Sequence, residues 1–110
     1  MSHQVESISL EDLVPRDHRY RYFKSVFTER FVRVQLSGLN TDIGRSGYGI
    51  ERLFHCRLLQ FMEDLSDREC ELFLQENVAA KWFCGFQLSE PVPDHSILCR
   101  VRKRIGTNRM

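Results

Sequence analysis

The chain has 110 residues, of which 42% are hydrophobic and 28% charged, and its net charge is +1 at neutral pH. These values exclude a disordered chain and are typical of one globular domain, over residues 1–110, with a single small core. No apolar run approaches the roughly 20 residues of a membrane-spanning helix, and the polar start MSHQVESISLEDL is unlike a secretory signal, so we expect a cytoplasmic protein without a membrane partner.

Helix signals begin near the N-terminus. The motif SLED at residues 9–12 resembles a short capping box, and Pro15 ends the helix that begins there. Asp17 is the predicted cap of a second helix, whose apolar residues recur on one face: Phe23, Phe27, Phe31 and Val34. The stretch NTDIGRSGYG has three glycines in its last six residues and predicts a loop.

The middle of the chain has the strongest pattern. A broad apolar face predicts the central core helix, and it is formed by Ile50, Leu53, Phe54, Leu58, Phe61, Met62 and Leu65. The motif LSDRE predicts another helix start, because Ser66 at the N-cap and Glu69 at the third helical position can each accept a hydrogen bond from the other's backbone N–H. Asn77 ends this helix, and VAAKWFC forms a short helix that Gly85 closes in a left-handed conformation.

The last predicted helix is basic. The two prolines of EPVP favour an extended approach, and Asp94 is the predicted N-cap. One apolar stripe along this helix consists of Ile97, Leu98, Val101 and Ile105. Arginine and lysine on a helix can reach phosphates and guanine edges. We therefore predict that DNA is contacted by residues that face away from the stripe or lie on its flanks: Ser96, Arg100, Arg102, Lys103 and Arg104.

Together these signals predict an all-α domain of five or six helices. Its charge lies in three blocks. Residues 16–33 have six basic and two acidic residues (+4), residues 63–76 have one basic and six acidic residues (−5), and residues 100–110 have five basic residues (+5). Two interpretations of the last block stay open: it meets DNA, or the acidic helix neutralises it inside the domain.

No catalytic residue, cofactor or metal site is predicted. The four cysteines stand 14, 14 and 15 residues apart without a close pair, which indicates free and mostly buried thiols. The aromatic cluster in KWFCGF is compatible with a stacking platform for bases, but helical spacing favours burial. LSDREC and the later basic helix are helix-turn-helix-like, although the separation from Asn77 to Asp94 is longer than the usual tight turn.

Three segments point to a family: LSDRE after an aromatic-rich helix, NVAAKWFCGF, and PDHS leading into RVRKRIG. With them, residues 10–106 resemble the N-terminal domain of bacterial insertion-sequence transposases of the DDE type. In that family a ribonuclease-H-like domain follows and supplies three acidic residues for metal-dependent DNA cleavage. No such domain lies within this sequence, so we expect the chain alone not to be an enzyme.

The resemblance implies a DNA-binding or assembly module in DNA transposition. Its expected partners are the double-stranded terminal inverted repeats, and a second copy or a full-length transposase, in association with the nucleoid. Two other hypotheses stay open on the sequence. The chain could be a protein-protein module of a truncated transposase that pairs with full-length subunits and inhibits them, or an inactive gene remnant.

Overall fold

Helices form all the regular structure that the computed structural model describes, which covers residues 9–27 and 47–106. The six α-helices are α1 (Leu10–Leu13), α2 (Arg19–Val26), α3 (Ile50–Glu63), α4 (Asp67–Glu76), α5 (Val78–Cys84) and α6 (His95–Val101). A π-helical turn, Arg102–Gly106, continues α6. The predicted all-α fold is therefore confirmed. The predicted helical positions Phe31 and Val34, and most of the glycine-rich loop, lie outside the described residues.

The start of α4 and the end of α5 follow from local chemistry. The Ser66 hydroxyl accepts a hydrogen bond from the Glu69 backbone N–H at 3.1 Å, and the Glu69 carboxylate accepts one from the Ser66 N–H at 2.9 Å. Gly85 has a φ of 90°, which is strained for residues with a Cβ, and its N–H donates to the Lys81 carbonyl at 2.9 Å. Both predicted helix boundaries are confirmed.

The capping of the two N-terminal helices differs from the prediction, although α1 begins after Ser9 as expected. The N-cap of α2 is His18 and not Asp17, and its Nδ1 accepts a hydrogen bond from the Tyr20 N–H at 3.1 Å. The reason is a turn after Pro15, closed by a His18 N–H to Pro15 carbonyl bond at 3.1 Å, which places Asp17 inside the turn. Ser9 precedes α1, but its hydroxyl bonds to the Asp12 side chain at 3.1 Å and caps no backbone N–H.

The core surrounds α3, which contacts α4, α5 and α6. Its buried residues come from all the long helices and the loop after α5; the largest are Tyr20, Leu53, Phe54, Leu59, Leu74, Phe83, Phe86 and Leu98. Cys56, Cys70 and Cys84 are also buried, and Cys99 is partly buried, all four as free thiols. The predicted central helix is therefore confirmed.

Phe61 is an exception on α3, because it was predicted to be core and its side chain is 68% exposed. Phe54 and Leu58 lie on the same side of the helix and are buried. Phe61 lies in the last turn of α3, where the described residues leave most of its ring uncovered. Gln60 is instead buried at the end of α3, where its amide donates to Asp67 Oδ1 at 2.8 Å.

Candidate nucleic-acid interface

The basic C-terminal helix is anchored at its start by Asp94, as predicted. Asp94 Oδ1 accepts hydrogen bonds from the N–H groups of Ser96 and Ile97 at 3.1 and 3.0 Å. The backbone bond from Ile97 is the main reason that the pKa of Asp94 is below its usual value. The Ser96 hydroxyl also donates to Asp94, at 2.8 Å, so its proton has a partner within the cap.

The apolar stripe fixes the orientation of this helix. Leu98 and Val101 are buried against α3 and α4, and Ile97 is partly buried, as predicted. The side chain of Ile105 lies outside the described part. All five predicted DNA contacts are exposed on α6 and the π-helical turn: Ser96, Arg100, Arg102, Lys103 and Arg104. We call these five residues the basic face.

Arg102 has a partner on the acidic helix. Its Nη2 lies 3.1 Å from Asp67 Oδ2, and its Nε lies 3.3 Å from both carboxylate oxygens. Burial opposes the charge of Asp67, but the hydrogen bonds from Arg102 and Gln60 outweigh it and lower the pKa of that carboxyl. Arg102 therefore helps to join α4 to the end of α6.

The acidic helix makes a second contact at the start of α6. Glu71 Oε1 accepts a hydrogen bond from the His95 backbone N–H at 2.9 Å and lies 3.0 Å from the His95 ring Nδ1. The bond with the His95 side chain is the main cause that lowers the pKa of Glu71. Between these two contacts, Arg100 is exposed and forms no ion pair with the described residues. The acidic helix therefore contacts α6 at its start and just after its end.

The other basic block has a different environment. Arg21 donates to the Glu11 carboxylate at 2.7 Å and to the carbonyls of Pro15 and Val14 at 3.0 and 2.7 Å. Lys24 donates to the carbonyls of Trp82 and Phe83, at 2.7 and 3.0 Å, near the end of α5. The described cations of this block, apart from the 86% exposed Arg16, thus hold N-terminal segments onto the domain.

Trp82 belongs to this structural network. The Arg21 guanidinium and the Lys24 ammonium lie 4.7 and 4.8 Å from its ring centre, and its Nε1 donates to Glu11 Oε1 at 2.8 Å. Its neighbours Phe83 and Phe86 are buried. The structure therefore favours the core interpretation of KWFCGF over a stacking platform for bases.

Two polar residues beside the basic face were not singled out from the sequence. Gln60 on α3 donates a hydrogen bond to Asp67 on α4, and Asp67 accepts hydrogen bonds from Arg102; these bonds connect α3 to the π-helical turn. One available signal was a glutamine within an apolar run, since a buried amide needs a hydrogen-bond partner. The pairing itself depends on how α3 and α4 pack, which periodicity does not specify.

Other sites have little support in the described residues. Across residues 9–27 and 47–106, no group of three or more His, Cys, Asp or Glu side chains is arranged to hold a metal ion. The longest helix in those ranges, α3, has 14 residues, which is too few to cross a bilayer. The exposed chemistry of α6 and the π-helical turn is therefore the leading candidate for function.

Comparison with protein families agrees with the resemblance found in the sequence. A family model described as "Transposase domain (DUF772)" matches residues 8–104, which include all six described α-helices. No significant match was found among curated proteins or among solved structures. Since the matched region spans nearly the whole sequence, the chain belongs to the DUF772 transposase-domain family.

Proposed function

We propose that this domain binds double-stranded DNA in transposition and that the basic face is its contact surface. The observation that carries the proposal is the geometry of α6, which buries Leu98 and Val101 and directs Arg100 to solvent. A helix of this kind fits the major groove, where arginine and lysine can reach phosphates and guanine edges. The terminal inverted repeats of a mobile element are the expected duplex.

Rigid anchoring supports this function. The start of α6 is fixed by Asp94 and Glu71, and its end is fixed by the ion pair between Arg102 and Asp67. Side chains on a fixed helix lose less conformational freedom on binding than side chains on a mobile segment. The acidic helix thus orients the basic helix through its two ends and leaves Arg100 accessible between them.

The test is the salt dependence of DNA binding by a triple variant, Arg100→Ala, Lys103→Ala and Arg104→Ala. Each lost phosphate contact lowers the slope of log affinity against log salt by about 0.9, so three contacts lower it by about 2.7. We expect the fold to survive, because all three residues are exposed. A folded triple variant with the wild-type slope would remove the basic face from the interface.

A protein-protein module is the second candidate, and the exposure of Phe61 favours it. An aromatic ring that is 68% exposed at the end of a core helix is a common kind of interface anchor. In this role the domain pairs with a transposase subunit and regulates it. Sedimentation of the wild-type chain and of Phe61→Glu tests the hypothesis for self-pairing, which predicts an oligomer that the variant dissociates. A monomeric wild-type chain would contradict self-pairing.

A further inference from the structure

Arg57 on α3 is a cation that no carboxylate of the described residues binds directly, because Asp67 attracts it only from beyond ion-pair distance. Its side chain is partly buried, and its Nε is fully buried with no hydrogen-bond partner. Among the residues that the structure describes, no hydrogen bond or ion pair involves its guanidinium. Buried or partly buried arginines normally have such partners, because desolvating an unpaired charge destabilises the fold.

The position of Arg57 connects it to the basic face. Gln60 follows Arg57 by three residues, so both side chains lie on one side of α3. Gln60 donates to Asp67, and Asp67 binds Arg102 in the π-helical turn, which itself contacts α3. Burial lowers the pKa of Arg57, and the positive charge of Arg102 lowers it further, as expected for two neighbouring guanidinium groups.

The charges at this place do not balance. Among the residues that the structure describes, Asp67 is the only acid that takes part in the connection, and its carboxylate already accepts bonds from Arg102 and Gln60. Arg102 uses its Nε and Nη2 on Asp67, and its Nη1 takes part in neither bond. Within the described part of the chain, two guanidinium groups beside one carboxylate leave a local excess of one positive charge.

We propose that Arg57 and Arg102 together bind one phosphodiester group of DNA, which extends the basic face from α6 onto α3. A phosphate offers several acceptor oxygens and one negative charge, and arginine forks bind such groups in two-point geometry. A phosphate bound between them supplies the charge that Asp67 alone does not. Arg100 and Arg104 are also exposed on α6 and the π-helical turn, and several cations on one segment fit a polyanion better than an isolated carboxylate.

This inference rests on the proposed function, and the experiment separates the two. Arg57→Gln, Arg57→Lys and the triple variant of the basic face are compared with the wild-type 110-residue chain on a fluorescently labelled DNA duplex at several salt concentrations. Arg16→Gln is the matched control, because Arg16 is an exposed arginine that bonds only weakly to Glu11, at 3.9 Å.

We expect Arg57→Gln to weaken binding roughly tenfold and to lower the salt slope by about 0.9, with no change in Arg16→Gln. Arg57→Lys keeps the charge and loses the two-point geometry, so its slope stays near the wild-type value while its affinity falls. The melting temperature of Arg57→Gln should equal or exceed that of the wild type, because the substitution removes an unpaired charge.

Each other outcome contradicts a definite claim. If the triple variant loses slope and Arg57→Gln keeps wild-type binding, the phosphate site is wrong and the basic face stands. If the triple variant also keeps the wild-type slope, the proposed function itself fails. A lower melting temperature for Arg57→Gln together with unchanged binding would show that Arg57 has only a structural role. Wild-type affinity in Arg57→Lys would rule out two-point binding.

Discussion

The two basic regions of this domain have similar net charges, +4 and +5, and different environments. In the N-terminal region, Arg21 and Lys24 point toward backbone carbonyls and hold helices together. On the basic face, Arg100 points to solvent, and the acidic helix pairs with His95 and Arg102 at the two ends of α6. A count of charges treats these regions alike. Burial and hydrogen-bond partners separate cations that stabilise the fold from cations that can meet a ligand.

The difference has a physical origin. Carbonyl groups at a helix end or in a turn need donors, and a nearby long basic side chain can supply them. Arg21 and Lys24 lie close to the end of α1 and the end of α5, so they serve these carbonyls. Arg100 lies in the last turn of α6 with its side chain exposed, and the π-helical turn continues the helix there, so that the Arg102 backbone N–H already serves the Leu98 and Cys99 carbonyls.

The largest expected contrast is in stability, between Arg21→Ala and Arg100→Ala. The Arg21 side chain is only 15% exposed and bonds one carboxylate and several carbonyls, so its loss should lower the free energy of unfolding by about 2 to 3 kcal/mol. Arg100→Ala should change it by roughly 0.5 kcal/mol or less. Urea denaturation measures both. Equal losses would mean that the two regions are not different in kind.

Lys24→Met should have the next largest effect. Methionine keeps much of the apolar stem but removes two hydrogen bonds to carbonyls and a charge that is favourable at the end of a helix. We expect a loss of about 1 to 2 kcal/mol, with α5 as the element that loosens. Hydrogen exchange of α5 amides checks the location. Unchanged protection in α5 would show that Lys24 does not stabilise this helix end.

The free energy of unfolding should also depend on pH, because His55 on α3 contacts the backbone just after α2 in the N-terminal region. The ring nitrogens of His55 lie 2.8 Å from the Glu51 carbonyl and 3.2 Å from the Phe27 carbonyl, which follows α2. Burial lowers the pKa of His55 below 6.5, and the charge of Lys24 acts in the same direction. The unfolded chain therefore binds this proton more readily than the folded domain.

The sign of the pH effect follows. The contribution of neutral His55 is fully present above pH 6.5 and is lost as the pH falls from 6.5 through the lowered, folded-state pKa. Free energies of unfolding measured above and below pH 6.5 should show this loss in the wild type and much less of it in His55→Gln. The same slope in both proteins would assign the pH dependence to another group.

A smaller loss of stability than for Lys24→Met is expected for Asp67→Asn, which changes the contact between the acidic helix and Arg102. Asparagine keeps an acceptor for Gln60 and loses the charge, so the cost should be about 1 kcal/mol or less. Because Arg102 is released, DNA affinity at low salt should rise, and the salt slope should increase by up to about 0.9. Weaker DNA binding by this variant would indicate that Asp67 holds Arg102 in its binding position.

The stability that Asp67 provides also decreases as the pH falls, but at lower pH, because the titrating group is a carboxyl. Its folded-state pKa is below the usual 3.8, so its contribution is present above pH 3.8 and is lost as the pH falls through the lower, folded value. Acid titration of Asp67→Asn should lack this step. The step should persist in Arg100→Ala, which leaves the Asp67 pair intact.

Local chemistry made much of this fold predictable. The capping box of Ser66 and Glu69, the Asp94 cap and the left-handed Gly85 all depend on residues close in sequence, and all three are observed. The buried stripe of α6 was predictable for the same reason. These features need no knowledge of how the helices pack.

Features that depend on packing were not predictable in the same way. Periodicity indicated the side of α3 on which Phe61 lies, but it contains no information on how far the neighbouring elements extend along that side. The roles of Arg21 and Lys24 depend on carbonyls from other elements. Arg57 stands out because its buried Nε has no hydrogen-bond partner among the described residues. Of the candidate site, the sequence predicted the exposed cations and missed the residues on α3 and α4 beside them.

Asn77 lies between α4 and α5 and belongs to both helix ends. Its backbone N–H donates to the Phe73 carbonyl at 2.9 Å, and its side-chain oxygen accepts a hydrogen bond from the Ala80 N–H at 2.8 Å. Asn77 thus ends α4 and caps α5, so no loop separates the two helices. A ligand that displaces the acidic helix from its α6 side would therefore also displace α5 and Trp82, because no flexible loop lies between the two helices.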